Sequence, residues 1–180
     1  NVKGRIKSWK FNGHELIQSG PEPHFWRAPT DNDLGNSMPK RCAMWKDTTI
    51  DWELQNIDLQ KSDHEVIMVV ELKHKHSSSI LRVNYTFASK GILTVKQSLK
   101  ILQNDLPEIP RFGMKLTLPA DFDQLNWYGR GPHESYADRK TSAAIGHYSG
   151  SVCEQTFPYI RPQETGHKTD LRWMALSNGK

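Results

Sequence analysis

The sequence has little cysteine: Cys42 and Cys153 are the two among 180 residues. Two thiols are too few for a disulfide framework, so a free pair is expected. No apolar run approaches the roughly 20 residues that a membrane helix requires, and no membrane partner is expected. The chain begins without Met or a signal peptide, and its last residues resemble a strand that enters a turn. We therefore expect a fragment of a longer protein, whose compartment stays open because a targeting signal would lie upstream.

The sequence also lacks a dense basic run. Its formal net charge is +4, and its lysines and arginines are scattered among acidic residues. Nucleic-acid binding is therefore not expected. With 36% hydrophobic residues, the chain has the composition of a globular protein. Its length predicts a single domain, residues 1–180, with a sizeable core.

Alternating apolar and polar residues predict an antiparallel, all-β fold. Asn12-Gly13 is a strong signal for a hairpin turn between residues 6 and 17. Ser89-Lys90-Gly91 separates two further alternating segments and predicts a second hairpin. Strands at spacings of roughly 8–12 residues with Gly and Pro between them favour a β-sandwich over a parallel α/β fold. The predicted strands are 64–72, 80–87, 93–101, 111–118, one that begins at 125, and one through 171–173.

Helical spacing is confined to residues 38–51. Met38, Cys42 and Trp45 recur at intervals of four and three residues. Because the stretch is short, we predict one helix at most.

The segment Phe25–Gly35 holds the densest chemistry in the chain. Pro29 fixes its own φ and disfavours helical geometry at the preceding residue, so the segment cannot be the interior of a helix. The run Asp31-Asn32-Asp33 favours a turn, because these short side chains bond nearby backbone groups. Such a loop either satisfies its own backbone or presents polar groups to a hydroxyl-rich ligand or another domain.

Two carboxyl pairs have the composition of a glycosidase site, Asp31 with Asp33 and Glu134 with Asp138. The first pair lies in the predicted turn, where capping is the ordinary role. The second is flanked by arginines at 130 and 139, which would lower the pKa values of the carboxyls and favour ion pairs over proton donation. Catalysis by either pair is therefore not expected.

Other kinds of catalytic or metal site lack their motifs. His74 and His76 lie on one face of a strand, without the further ligands that zinc needs, and are predicted to be solvated. No Gly-x-Ser-x-Gly elbow or EF-hand spacing occurs, and Gly129-Arg130-Gly131 lacks the ending of a phosphate loop. What remains is a loop surface of aromatic, arginine, carboxylate and amide side chains. It suits either sugar rings or a polar contact between domains.

Three segments of the chain resemble one known family. Residues 25–35 are similar to the first signature of the C-terminal small-chain domain of family 2 β-galactosidases. Residues 127–139 resemble the second signature, and residues 159–166 resemble the third. The resemblance implies an antiparallel supersandwich like that of galactose mutarotases, truncated at its C-terminus, with the chain forming roughly the first two-thirds of the domain.

The resemblance also implies a role. In this family the catalytic glutamates belong to an upstream (β/α)8 barrel, and the small-chain domain packs on that barrel and lends loops to the rim of the galactose pocket. The chain is thus expected to be a non-catalytic domain of an enzyme that hydrolyses terminal β-D-galactosides, inactive by itself, with the barrel as its partner and the galactoside bound through the parent. The parent is expected to be a homo-oligomer that uses magnesium and sodium, and no cofactor is expected in residues 1–180.

The family match assigns no catalytic residue to this chain. It makes Phe25–Gly35 a docking loop, with Phe25 and Trp26 anchored in the sandwich. Backbone carbonyls of Arg161 and Pro162 match positions that bind a monovalent cation in some members. The residues predicted to lie at the carbohydrate rim or the interdomain contact are Trp26, Arg27, Asp31, Asn32, Asp33, Arg130, Glu134, Asp138, Arg139 and Glu164.

An alternative is a free-standing enzyme of the mutarotase type or a sugar-binding module. A mutarotase needs an acidic His and a basic Glu that converge on one carbon. His133 and Glu134 are adjacent, and in an extended segment their side chains point to opposite faces. This geometry disfavours the alternative.

Overall fold

The computed structural model describes residues 4–47 and 51–179. These residues form two compact units, and the second is discontinuous in sequence. The first unit contains the described residues of 1–27 and 37–117, and the second contains 28–36 and those of 118–180. The assignment of 1–180 to one domain stays a prediction.

A short hairpin opens the first unit. β1 (Lys10–Phe11) pairs with β2 (His14–Glu15) in antiparallel register. Asn12 and Gly13 connect them with φ values of 48° and 81°, the positive φ that a type I′ turn needs at both positions. The predicted hairpin is confirmed.

A second pair of strands was only half predicted. β3 (Ser19–His24) pairs with β8 (Gly113–Thr117), with a register shift between Ser19 and Glu22. The prolines in β3 hid it, because proline removes a ladder donor and is confined to edges and bulges. Phe112, just before β8, and Leu116 within it are almost half exposed.

Four antiparallel strands form the main sheet of the first unit, in sequential order. The turn Ser89–Gly91 takes the positive φ of 64° at Lys90 and 73° at Gly91, as the predicted second hairpin requires. Leu81, Val83 and Tyr85 are buried on one face, which confirms the alternation. The strands are β4 (Trp52–Lys61), β5 (Glu65–His74), β6 (Ile80–Ala88) and β7 (Ile92–Lys100).

The predicted helical stretch forms two short segments instead of one helix. α2 (Met38–Arg41) is followed by a 3-10 turn at Ala43–Trp45. The three residues with helical spacing, Met38, Cys42 and Trp45, are all buried in the core. Residues 48–50 of the predicted stretch lie outside the described residues.

The second unit contains a three-stranded antiparallel sheet. β9 (Gln124–Gly131) lies between β10 (Ala144–Ser151) and β11 (Trp173–Ser177). β10 was missed because its glycines and serines have low strand propensity. The unit also contains the short helix α1 (Asp31–Gly35). The all-β antiparallel class is confirmed, and none of the described helices is long and apolar enough to cross a membrane.

Candidate functional site

The densest polar cluster of the second unit is centred on Glu134, in the loop after β9. Its carboxylate accepts hydrogen bonds from the guanidinium of Arg139 and the hydroxyl of Tyr159. It also accepts from Thr165 Oγ1 at 3.1 Å and from the backbone N–H of Gly166 at 2.9 Å. One carboxylate therefore joins the second signature segment to the third.

The environment of Glu134 keeps it ionised. Burial alone would raise the pKa of this carboxyl, but the bonds from Tyr159, Gly166, Arg139 and Thr165 outweigh burial and hold the pKa below its usual value. A general acid in a glycosidase needs a raised pKa. Glu134 is thus unsuited to be a general acid, and its four hydrogen bonds fit a structural role, as the flanking arginines led us to expect.

An aromatic stack supports the same loop. The ring of Tyr136 stacks on His167 with 5.1 Å between centroids, and the Arg139 guanidinium lies 5.5 Å from the Tyr136 ring centre. Burial, aided by the charge of Glu134, raises the pKa of Tyr136 to about 12. The Tyr136 hydroxyl is buried and has no hydrogen-bond partner in the parts of the chain that the structure describes.

Arg130 does not reach the Glu134 carboxylate. Its Nε donates to Asp170 Oδ2 at 2.6 Å, and its Nη1 donates to the carbonyls of Lys140 and Ala143. This ion pair lowers the pKa of Asp170. Asp138, the predicted partner of Glu134, is exposed and makes no side-chain hydrogen bond or ion pair within residues 4–47 and 51–179. The structure therefore does not assemble this carboxyl pair.

The predicted turn at residues 31–33 is the helix α1, which corrects the turn assignment. Thr30 caps it: the Asp33 N–H donates to Thr30 Oγ1 at 3.3 Å, and the Thr30 N–H donates to Asp33 Oδ2 at 2.9 Å. The capping box satisfies donors that helix starts leave unpaired. Asp33 is buried in this role, whereas the Asp31 carboxylate accepts from Arg161 Nη1 at 3.2 Å. Asp33 therefore caps the helix, whereas Asp31 pairs with Arg161.

The remaining predicted rim residues are spread over both units. Trp26 and Arg27 belong to the first unit and are half-buried. Trp26 packs against the core, with Lys46 Nζ 5.9 Å from its ring centre. Asn32 is exposed and Glu164 is half-buried, both in the second unit. Their place at a carbohydrate rim stays a prediction.

His74 corrects another sequence prediction, because it is fully buried instead of solvated. Its ring lies 5.2 Å from that of Trp45 and 4.9 Å from that of Trp52. The Ser77 N–H donates to Nδ1 at 3.2 Å, so the proton is on Nε2, which donates to the Met44 carbonyl at 3.3 Å. Burial lowers the pKa of His74. The nearby Ser77 hydroxyl is also fully buried, which excludes substrate from this serine–histidine pair.

This geometry predicts acid sensitivity of the first unit. The pKa of His74 is lower in the folded state than the usual value near 6.5, so stability is full above about pH 6.5 and falls as the pH drops below it. The charge of Asp51 raises the pKa of His74, whereas that of His76 lowers it further. The urea midpoint should therefore fall on acidification, and His74→Gln should lower the free energy of unfolding at neutral pH by about 2 kcal/mol.

His76→Gln is the matched control, since the His76 side chain is 64% exposed. It should leave the acid dependence nearly intact, while His74→Gln should flatten it. Acid dependence that persisted in His74→Gln and vanished in His76→Gln would contradict this assignment.

The suggested cation site consists of two backbone carbonyls, those of Arg161 and Pro162. Neutral carbonyl oxygens at Arg161 and Pro162 suit a hard monovalent cation, and both residues are exposed. Two carbonyls cannot complete a coordination shell, and the described residues contain no cluster of three or more His, Cys, Asp or Glu that could hold a metal. The site stays a prediction.

Comparison with known proteins places the chain in a family. The family model described as beta galactosidase small chain matches residues 1–180. The chain is 45% identical over 176 residues to a beta-galactosidase of Priestia megaterium, covering 98% of this chain and 17% of that protein. It is 33% identical over 180 residues to a beta-galactosidase of Lactobacillus delbrueckii subsp. bulgaricus, covering 99% of this chain and 18% of that protein.

A third beta-galactosidase, from Halalkalibacterium halodurans, is 32% identical over 182 residues and is covered to 18% of its length. The chain belongs to the beta galactosidase small-chain family. It spans less than a fifth of the length of these relatives.

Sequence reasoning missed most partners of Glu134. Tyr159, Thr165 and Gly166 stand in the third signature, but nothing local indicates that they converge on a carboxylate 25 to 32 residues earlier. Tyr136 was overlooked for the same reason, because its stacking partner His167 lies in another loop. The one available signal was that both segments combine aromatic and charged residues.

Proposed function

We propose that this chain is a non-catalytic domain of a β-galactosidase of glycoside hydrolase family 2. In the parent enzyme, which hydrolyses terminal β-D-galactosides, the domain packs on the catalytic barrel and shapes the carbohydrate-binding pocket. The single observation that carries the proposal is the saturation of Glu134 by four protein donors. Its carboxylate is fixed and its pKa is depressed, so it orders loops and does not transfer protons.

The loops that Glu134 orders carry the residues proposed for the rim. Arg139 is one of its bonding partners, Glu164 precedes Thr165, another partner, and Arg161 lies between Tyr159 and Thr165. The guanidinium of Arg161 in turn reaches Asp31 of α1. Loops fixed in this way offer a preorganised surface, which favours binding because less conformational freedom is lost.

Steady-state kinetics on the full polypeptide that contains these residues tests the proposal. Glu134→Gln keeps an acceptor oxygen but weakens the cluster. With nitrophenyl β-D-galactoside, we expect kcat within about tenfold of wild type and a raised KM, since loss of general acid–base catalysis costs about 10²–10⁴-fold in rate. The change in KM would report loosened loops at the pocket rim.

Glu154→Gln serves as the control. Glu154 also accepts a backbone hydrogen bond, from the Ser151 N–H, but it is exposed in a 3-10 turn and is not among the groups that bond Glu134. Glu154→Gln should change neither kcat nor KM. A fall in kcat of a thousandfold in a folded Glu134→Gln protein would refute the non-catalytic role, and an unchanged KM would refute pocket shaping.

A further inference from the structure

The four-stranded sheet of the first unit carries a depression on the face opposite its buried Val70 and Val83. Its volume is about 310 Å³. Small-ligand pockets begin at about 300 Å³, so this depression has room for one or two sugar rings. The residues that line it are Asn56, Ile57, Asp58, Val69, Glu71 and Arg82.

The strand register arranges the lining side chains in two rows, except that of Ile57, which pairs with Val70. Asn56 pairs with Glu71, which pairs with Arg82. In the neighbouring row Asp58 pairs with Val69. Strands lie about 4.8 Å apart and residues on one face about 6.7 Å apart, so the two rows form a grid of roughly 10 by 7 Å. A rigid sheet thus presents the polar groups at fixed spacing.

The polar groups of this grid are not paired with one another. Glu71 and Arg82 face each other in register with opposite charges, an arrangement that ordinarily gives an ion pair. Within residues 4–47 and 51–179, neither makes a side-chain hydrogen bond or an ion pair. The carboxylate of Glu71 and the guanidinium of Arg82 are thus available to hydrogen-bond a ligand in the depression.

The charge of the grid limits what that partner can be. Two carboxylates, Asp58 and Glu71, and one guanidinium, Arg82, give a net formal charge of −1. An anion such as phosphate would be repelled by the carboxylates. A neutral molecule with neighbouring hydroxyls matches both kinds of group, because each hydroxyl donates one hydrogen bond and accepts others.

We propose that this depression binds a neutral saccharide. Sugar hydroxyls donate to Glu71 and to Asp58 Oδ1, since Asp58 Oδ2 already accepts from Gln60 Nε2 at 2.8 Å. The guanidinium of Arg82 and the amide of Asn56 donate to sugar oxygens. Val69, in the second row, supplies an apolar base for the C–H face of the ring. This site does not depend on the proposed β-galactosidase activity.

Titration with methyl β-D-galactopyranoside, followed by 15N–1H NMR of the 180-residue chain, tests the site. Saturable shifts should be confined to amides of β4, β5 and β6 around the depression, with affinity in the millimolar range. Glu71→Gln and Arg82→Gln should each weaken binding at least about tenfold, the effect expected when a charged hydrogen-bond partner is removed.

Glu53→Gln and Lys73→Gln are charge-matched controls. These residues pair with each other in the next part of β4 and β5 and do not line the depression. They should leave the affinity unchanged. Equal weakening by the controls, the absence of saturable shifts, or tighter binding of inorganic phosphate would each overturn the proposal.

Crystals of the longer polypeptide, soaked in the same glycoside, provide a second measurement. Density for a sugar over Glu71 and Arg82 is the expected result. Another segment of that polypeptide seated on the two rows would instead identify the partner as protein and overturn the proposal.

Discussion

Replacing Glu134 by alanine is expected to lower the free energy of unfolding by about 3 kcal/mol. The substitution leaves the hydroxyls of Tyr159 and Thr165 and the N–H of Gly166 without their acceptor. The Glu134 side chain is only 10% exposed, so water replaces the lost partner poorly. Urea unfolding of wild type and variant, monitored by tryptophan fluorescence, measures the difference.

The Glu134 carboxylate also makes the stability of the folded protein depend on pH. Because the pKa of Glu134 is lower in the folded protein than the usual 4.5, its contribution is complete above pH 4.5 and is lost as the pH falls through the folded value. Asp31→Ala is the control, since the Asp31 and Arg161 side chains are 54% and 68% exposed. An exposed pair contributes about 0–1 kcal/mol. Equal losses in the two variants would contradict the central position of Glu134.

Replacing Phe25 by alanine should destabilise the first unit by about 3–5 kcal/mol. Phe25 is fully buried, and its ring centre lies 6.3 Å from that of Trp45, 5.8 Å from that of Trp52 and 5.3 Å from that of Phe112. Removing this ring leaves a cavity among large, rigid neighbours that cannot easily collapse. Equilibrium unfolding in urea measures the loss.

Phe11→Ala provides the comparison within the same unit. Phe11 is 48% exposed in the first hairpin, and its truncation should cost much less. A similar loss in both variants would show that Phe25 is not the anchor of its loop. The family resemblance already implied this anchor, since it placed Phe25 and Trp26 in the sandwich.

Most of the fold could be predicted from the sequence because its signals are local. Alternation identified the hairpin strands β6 and β7, and Asn12-Gly13 identified the first turn. β3 and β10 escaped because proline and glycine weaken the strand pattern, and their pairing depends on distant partners. Helix α1 was not predicted because the short polar side chains that form its capping box also favour turns.

The candidate site was less predictable, because it depends on contacts between loops. Alternation gave His74 a place on a strand but could not show that two tryptophans and the Met44 carbonyl enclose it. The flanking charges correctly indicated that Glu134 forms an ion pair. They did not indicate which of Arg130 and Arg139 is the partner, because Arg130 pairs instead with the distant Asp170.

The discontinuous second unit has a consequence for biosynthesis. Asp31 lies 130 residues before its partner Arg161, with most of the first unit between them. Helix α1 has five residues, too few to be stable by itself. At about 5–20 residues per second, a ribosome needs roughly 6 to 26 s to cover that interval. The first unit can thus assemble before the partners of residues 28–36 are synthesised, and until then this short segment is open to proteases and chaperones on the nascent chain.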